Sequence, residues 1–150
     1  MELDWDAIGA IGEILGAAAV LITLVYLARQ LSHSQSSTQL DATERLIRGF
    51  DEINRIIVTD ASLRETLVKE VELTDAEALQ LYQFAVLYCN IWISAQVAYD
   101  SGQIPESLYA DAARDVEIEI ERFPSLREPI QLWLERYPAV SDSPIFHPLR

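Results

Sequence analysis

Residues Ala7–Ala28, AIGAIGEILGAAAVLITLVYLA, form an apolar stretch of 22 residues interrupted by one charge, Glu13. At about 1.5 Å per helical residue, its length matches the roughly 30 Å hydrocarbon core of a bilayer. A secretory signal would want a basic start, a shorter apolar run and a small-residue cleavage site. This chain opens with Glu2, Asp4 and Asp6 and stays apolar to Tyr26, so the stretch is read as a retained transmembrane anchor. A buried helix of a soluble protein is the alternative, and in a chain of 150 residues it would need cover on every side. Trp5 and Tyr26 lie near the two ends, where amphipathic rings settle at headgroup depth, and Arg29 completes the set of interfacial anchors. Basic residues favour the cytoplasmic side, and Arg29, His33, Arg45 and Arg48 all follow the span. The acidic end is therefore expected outside and the chain beyond Arg29 inside.

Within the stretch, Gly9, Gly12, Gly16 and Ala19 recur at steps of three or four, and Gly12 with Gly16 makes a GxxxG pair. Small residues in such a row let another helix backbone come close. Glu13 and Thr23 lie near the same face. A carboxyl inside the membrane costs a few kcal/mol if ionised and facing lipid, so Glu13 needs a proton, a partner or a route to the headgroups. Two readings stay open: a helix-packing face that carries a polar contact, or a glycine-rich anchor whose Glu13 reaches the outer interface.

All but four of the 24 acidic residues, and all 11 basic ones, follow Ala28, giving the remainder a net charge of minus 9. A domain so charged is repelled by nucleic acid and by anionic headgroups alike. About 120 residues suffice for one small domain. The single cysteine, Cys89, has no partner for an internal disulfide, in keeping with a reducing compartment.

Helix signals follow one another from there, and the fold class expected is all-α: one N-terminal transmembrane helix and a bundle of about five helices. Residues 1–31 form the anchor, 32–39 a polar juncture rich in serine, 40–138 a cytoplasmic helical domain and 139–150 an irregular tail. Leu40, Ile47, Phe50, Ile53 and Ile57 repeat at helical spacing, with Arg45, Arg48, Asp51, Glu52 and Arg55 mostly on the wet side. Asp60 is a candidate N-cap for a short helix that points Leu63, Leu67 and Val71 one way. Thr74-Asp75-Ala76-Glu77 is a capping box opening a long helix that Gly102 stops. A further helix from Pro105 turns Leu108, Ala112, Val116 and Ile120 inward, and a last one, capped by Ser125, carries Leu126, Ile130, Trp133, Leu134 and Tyr137.

The central helix contains a second run of 22 residues without charge, Ala78–Tyr99. Length alone would let it cross a membrane, but Gln80, Gln83, Asn90, Ser94 and Gln96 interrupt it, and such amides are unfavourable in hydrocarbon. It is read as a buried central helix that meets its neighbours through Phe84, Leu87, Tyr88, Ile91, Trp92 and Val97.

Chemistry is sparse. His33 and His147 are the only histidines, and no HExxH or ExxH pair offers metal ligands. Cys89 reads as an inert core thiol, and Asp111, Asp115, Glu117, Glu119 and Glu121 as a solvated acidic face. No catalytic residues, cofactor or metal are expected, and the chain is read as non-catalytic.

Trp5–Gln30, WDAIGAIGEILGAAAVLITLVYLARQ, resembles the start of a group of small bacterial membrane-anchored proteins of unknown function, in which a tryptophan precedes an AIGAIGEI-type glycine-rich span. The segments ASLRETL, YDSGQIPESLY and FPSLREPIQLWLE are similar to that group's cytoplasmic helical domain. The resemblance implies a single-pass protein of the bacterial inner membrane and brings no catalytic residues. The serine-rich juncture, with only His33, departs from relatives that tend to be more basic there. The leading functional expectation is an accessory or assembly subunit that docks through Gly9, Gly12, Glu13, Gly16, Ala19 and Thr23 onto another membrane protein, or onto a second copy of itself. The alternative is a sensor or defence-type regulator, marked by a pocket among Tyr88, Trp92 and Trp133.

Overall fold

The computed structural model describes residues 5–69 and 71–149; the side-chain surroundings of 5–8, 10–12, 14 and 35 lie outside the description. Among the described residues every regular element is a helix: α1 (Trp5–Thr59), α2 (Ala61–Leu67), α3 (Asp75–Asp100), α4 (Glu106–Arg122), α5 (Arg127–Arg136) and α6 (Pro138–Ser141). Short 3-10 turns cover Pro124–Leu126 and Pro144–Leu149. The protein is all-α, a long N-terminal helix followed by a small helical domain. Contacts divide it into two units, Met1–Leu40 and Asp41–Arg150.

Helix α1 runs through the expected juncture at Ser32–Gln39 without a break. No glycine or proline falls between Gly16 and Gly49. The hydroxyls that could compete with the backbone instead turn onto their own helix: Ser36 Oγ donates to the Ser32 carbonyl at 3.1 Å and Thr38 Oγ1 to that of Ser34 at 3.0 Å.

In the second unit, α3 is the central element, packed against α2, α4 and α5. Leu81, Ala85, Cys89, Trp92 and Ala95 are completely buried along it. The capping box forms as expected: Thr74 N–H donates to Glu77 at 2.8 Å, and Glu77 N–H returns to Thr74 Oγ1 at 3.4 Å. Lys69 adds an ion pair to Glu77 at 2.6 Å. The Glu77 carboxyl is thereby held down to about 2, by the Lys69 ammonium first and the Thr74 donors next. At the other end, Gly102 takes the left-handed conformation (φ +66°) that stops the helix. Asp60 caps α2 by accepting from Leu63 N–H at 3.0 Å.

Four local expectations are corrected. The inward row of α1 is Ala42, Leu46 and Ile53, while Leu40 and Ile47 are exposed. Small residues set that row: a Cβ on Gly49 would meet the Ile91 side chain at 3.1 Å, so the glycine permits close approach to α3. Val71 is exposed, because α2 ends at Leu67. Ser125 does not cap α5; its hydroxyl donates to the Leu67 carbonyl at 2.7 Å, and α5 is entered through the turn begun by Pro124. Of the expected irregular tail, residues 139–149 are largely helical: α6 and the final 3-10 turn bring Ile145 and Phe146 to full burial.

Candidate functional site

The first half of α1 is long and apolar enough to cross a membrane. From Leu15 to Leu31 its large apolar side chains face outward on every side, from Leu27, 53% exposed, to Ile22, 71% exposed. A helix apolar all round suits either the core of a large protein or a membrane span.

The helical pitch gathers Gly9, Gly12, Glu13, Gly16, Ala19 and Thr23 onto one face, since successive members lie no more than four residues apart. A Cβ on Gly9 or Gly16 would meet nothing within 4 Å, which leaves room there for another backbone. Glu13 and Ala19 are exposed. Thr23 satisfies itself by donating to the Ala19 carbonyl at 2.8 Å, so its hydroxyl adds little polarity to the face. The surroundings of Gly12 and the Trp5 side chain lie outside the described residues, as do Met1–Asp4. Tyr26 and Arg29 are both exposed, one turn apart at the end of the apolar segment.

Polar chemistry of another kind lies inside the domain, where the acids of α4 do not all face water. Tyr88 Oη donates to Glu119 Oε2 at 2.7 Å, and Trp92 Nε1 to Asp115 Oδ2 at 2.9 Å. Arg122 supports Glu119 at 3.5 Å. Together the two pairs join residues four apart on one helix to residues four apart on its antiparallel neighbour, a two-rung ladder between α3 and α4. Glu119 is buried, which corrects the reading of these carboxylates as a wholly solvated face; Asp111, Glu117 and Glu121 are exposed as expected. Burial raises the Asp115 carboxyl above its ordinary range, the Trp92 N–H opposes this and the Glu119 charge adds to it. Burial also drives the Tyr88 hydroxyl upward, reinforced by its bond to Glu119. The only sequence signal for Glu119 was its offset of three from Val116 on the inward row.

A second polar junction centres on Gln96. Its amide oxygen accepts from Tyr109 Oη at 2.7 Å and from Ile145 N–H at 3.1 Å, while its nitrogen donates to Asp100 at 2.9 Å. These bonds tie the C-terminal turn to α3. Tyr99 stacks on Tyr109 beside it, with ring centroids 4.4 Å apart.

Tyr88, Trp92 and Trp133 leave no ligand space among themselves. Phe146 packs against both indoles, at 6.4 Å and 6.1 Å between centroids, and all four rings are buried. Cys89 is buried too, its thiol pushed up to about 12 by desolvation, so it stays protonated and unreactive at neutral pH. Among the described residues, no three His, Cys, Asp or Glu side chains gather to hold a metal. An apolar concavity of about 350 Å³ is a groove between α1 and α3 with Ala42, Leu46, Ile91 and Ala98 among its lining residues.

No protein-family model matches the chain, and neither a curated protein nor a solved structure does.

Proposed function

We propose that the protein is a membrane-anchored, non-catalytic interaction protein, an accessory or assembly subunit of a membrane complex. One observation carries this reading: the charge-free, apolar surface of α1 from Leu15 to Ala28, exposed on all sides. Lipid is the solvent that such a surface suits. In this reading the host membrane is the bacterial inner membrane, the acidic N-terminal end lies outside and the helical domain lies in the cytoplasm. The face built from Gly9, Gly12, Glu13 and Gly16 receives a helix of another membrane protein, and neither nucleic acid, metal nor cofactor takes part. The second reading is a sensor or defence-type regulator whose helical domain binds a ligand or a cytoplasmic partner; the packing of Phe146 against Trp92 and Trp133 lends it less support.

Carbonate washing of membranes followed by affinity purification in mild detergent tests the proposal. The chain should stay with the washed membrane and bring down a stoichiometric membrane protein. Gly12→Leu with Gly16→Leu should release that partner while leaving the anchor in place. A chain removed by carbonate, or one recovered alone, would overturn the reading.

A further inference from the structure

The groove between α1 and α3 lies wholly within Asp41–Arg150, and it joins apolar walls to polar groups that the protein leaves uncommitted. Its volume of about 350 Å³ falls in the range of roughly 300–1,000 Å³ that holds small molecules. Ala42 and Leu46 on α1 and Ile91 and Ala98 on α3 supply the walls, and the two alanines are too short to fill the space between the helices. Leu87 and Val97, expected to touch neighbouring helices, are instead 40% and 58% exposed, and Val97 borders the groove.

Charge identifies the occupant. Arg45 is the only charged residue on the lining, in a chain where 24 acidic residues compete for 11 basic ones. Along the same helix Arg48 pairs with Glu44 and Arg55 with Glu52, yet Arg45, with Asp41 one turn away, makes no ion pair among the described residues. Gln103 stands on the lining as well, half-buried, and its side-chain amide makes no hydrogen bond among the described residues. A guanidinium receives a carboxylate through two parallel N–H donors, and a free amide can supply a third. One cation suits a monoanion, whereas a phosphate ester with nearly two charges would lack a second counter-charge. The net charge of minus 13 works against any anion in solution, so a small carboxylate gains too little from Arg45 and the apolar walls have to contribute.

We propose that this groove is a binding site for an amphiphilic monocarboxylate of fatty-acid type, with its carboxylate on Arg45 and its alkyl chain between Ala42, Leu46, Ile91 and Ala98. The site belongs to the helical domain alone and does not depend on where the apolar part of α1 resides.

Octanoate titrated calorimetrically into the full-length protein in lipid nanodiscs, with empty nanodiscs as the blank, tests the proposal. Saturable binding at one site per chain is expected, with hexanoate about fifteenfold weaker, since each buried methylene contributes about fourfold. Octylammonium, which matches the chain but reverses the charge, should not displace octanoate. Arg45→Gln should weaken octanoate about tenfold or more and leave the affinity for octanol, the neutral analogue, unchanged. Ser94→Phe, at an exposed position on the lining, should abolish binding of both while circular dichroism stays that of the parent. Absence of saturable octanoate binding, displacement by octylammonium, or indifference to Arg45→Gln or to Ser94→Phe would overturn the proposal. Equal affinity for hexanoate and octanoate would place the carboxylate on a surface cation without the groove, and would overturn it as well.

Discussion

The molecule contains two charge-poor stretches of 22 residues that length alone would let cross a membrane, Ala7–Ala28 in α1 and the less apolar Ala78–Tyr99 in α3. The first exposes its apolar side chains all round from Leu15 onward, while the second turns Leu81, Ala85, Cys89, Trp92 and Ala95 completely inward. What separates them is the placement of a few amides. Gln80 reaches Thr66 at 3.3 Å and Asp60 at 3.4 Å, and Gln96 reaches Asp100, Tyr109 and Ile145, so two polar residues of α3 bind the helices around it. The described part of the first stretch offers only Glu13 and a threonine that bonds to its own helix. A charge-poor helix becomes the centre of a domain when its polar groups reach outward to neighbours, and stays unclothed when they do not.

The largest effect should come from charging the two stretches in parallel. Leu21→Arg with Leu24→Arg should strip the protein from carbonate-washed membranes, since each arginine near the middle of a span costs about 2.5–3.5 kcal/mol on insertion scales. Gln83→Arg with Asn90→Arg, on the exposed side of α3, should leave fractionation unchanged. An α1 variant that remains in the membrane would break the comparison.

A middle-sized effect should follow from making α3 more like α1. Gln96→Leu adds hydropathy but orphans the buried Ile145 N–H and the Tyr109 hydroxyl, so denaturant unfolding of the purified full chain should show a loss of about 1–3 kcal/mol for each donor left unpaired. Unchanged stability would mean that the amide junction is incidental to α3.

The smallest effect is one of pH, and it too should separate the stretches. Because the folded state holds Glu77 down to about 2 from an ordinary 4.5, its contribution is complete above pH 4.5 and disappears as pH falls toward 2. The melting temperature of Glu77→Gln should lie slightly below that of the parent at pH 7, and the gap should close on acidification through that window. Leu15–Leu31 contains no carboxylate, so no matching change is expected of that part of α1.

Local rules carried the apolar N-terminal helix, though not its unbroken run through Ser32–Gln39, together with the Thr74 capping box, the Gly102 stop and the inward row of α4 from sequence to structure. They did not carry the Tyr88–Glu119 and Trp92–Asp115 rungs, because the partners stand 31 and 23 residues apart and meet only once α3 and α4 lie antiparallel. An acid counted on a helical wheel has no visible partner, so Glu119 looked solvated. The row in α1 was misplaced for the opposite reason: Ala42 and Gly49 count little as apolar signals, yet their smallness is what lets that helix approach the core. Ile145 and Phe146, set between Pro144 and Pro148, resembled a loop, and their burial depends on Gln96 and the two tryptophans far upstream. As for the candidate site, spacing alone placed its glycines on one helical face.

The position of Phe146 in the core also sets the order in which this protein can mature. Synthesis reaches the apolar segment of α1 early and Phe146 late, after Trp92 and Trp133 have already been made. Until residue 146 emerges from the ribosome, both indoles lack the ring that packs against them. Insertion of the N-terminal helix, if it begins as soon as that segment is available, would precede closure of the domain, and nascent chains halted before residue 145 should carry an open aromatic cluster.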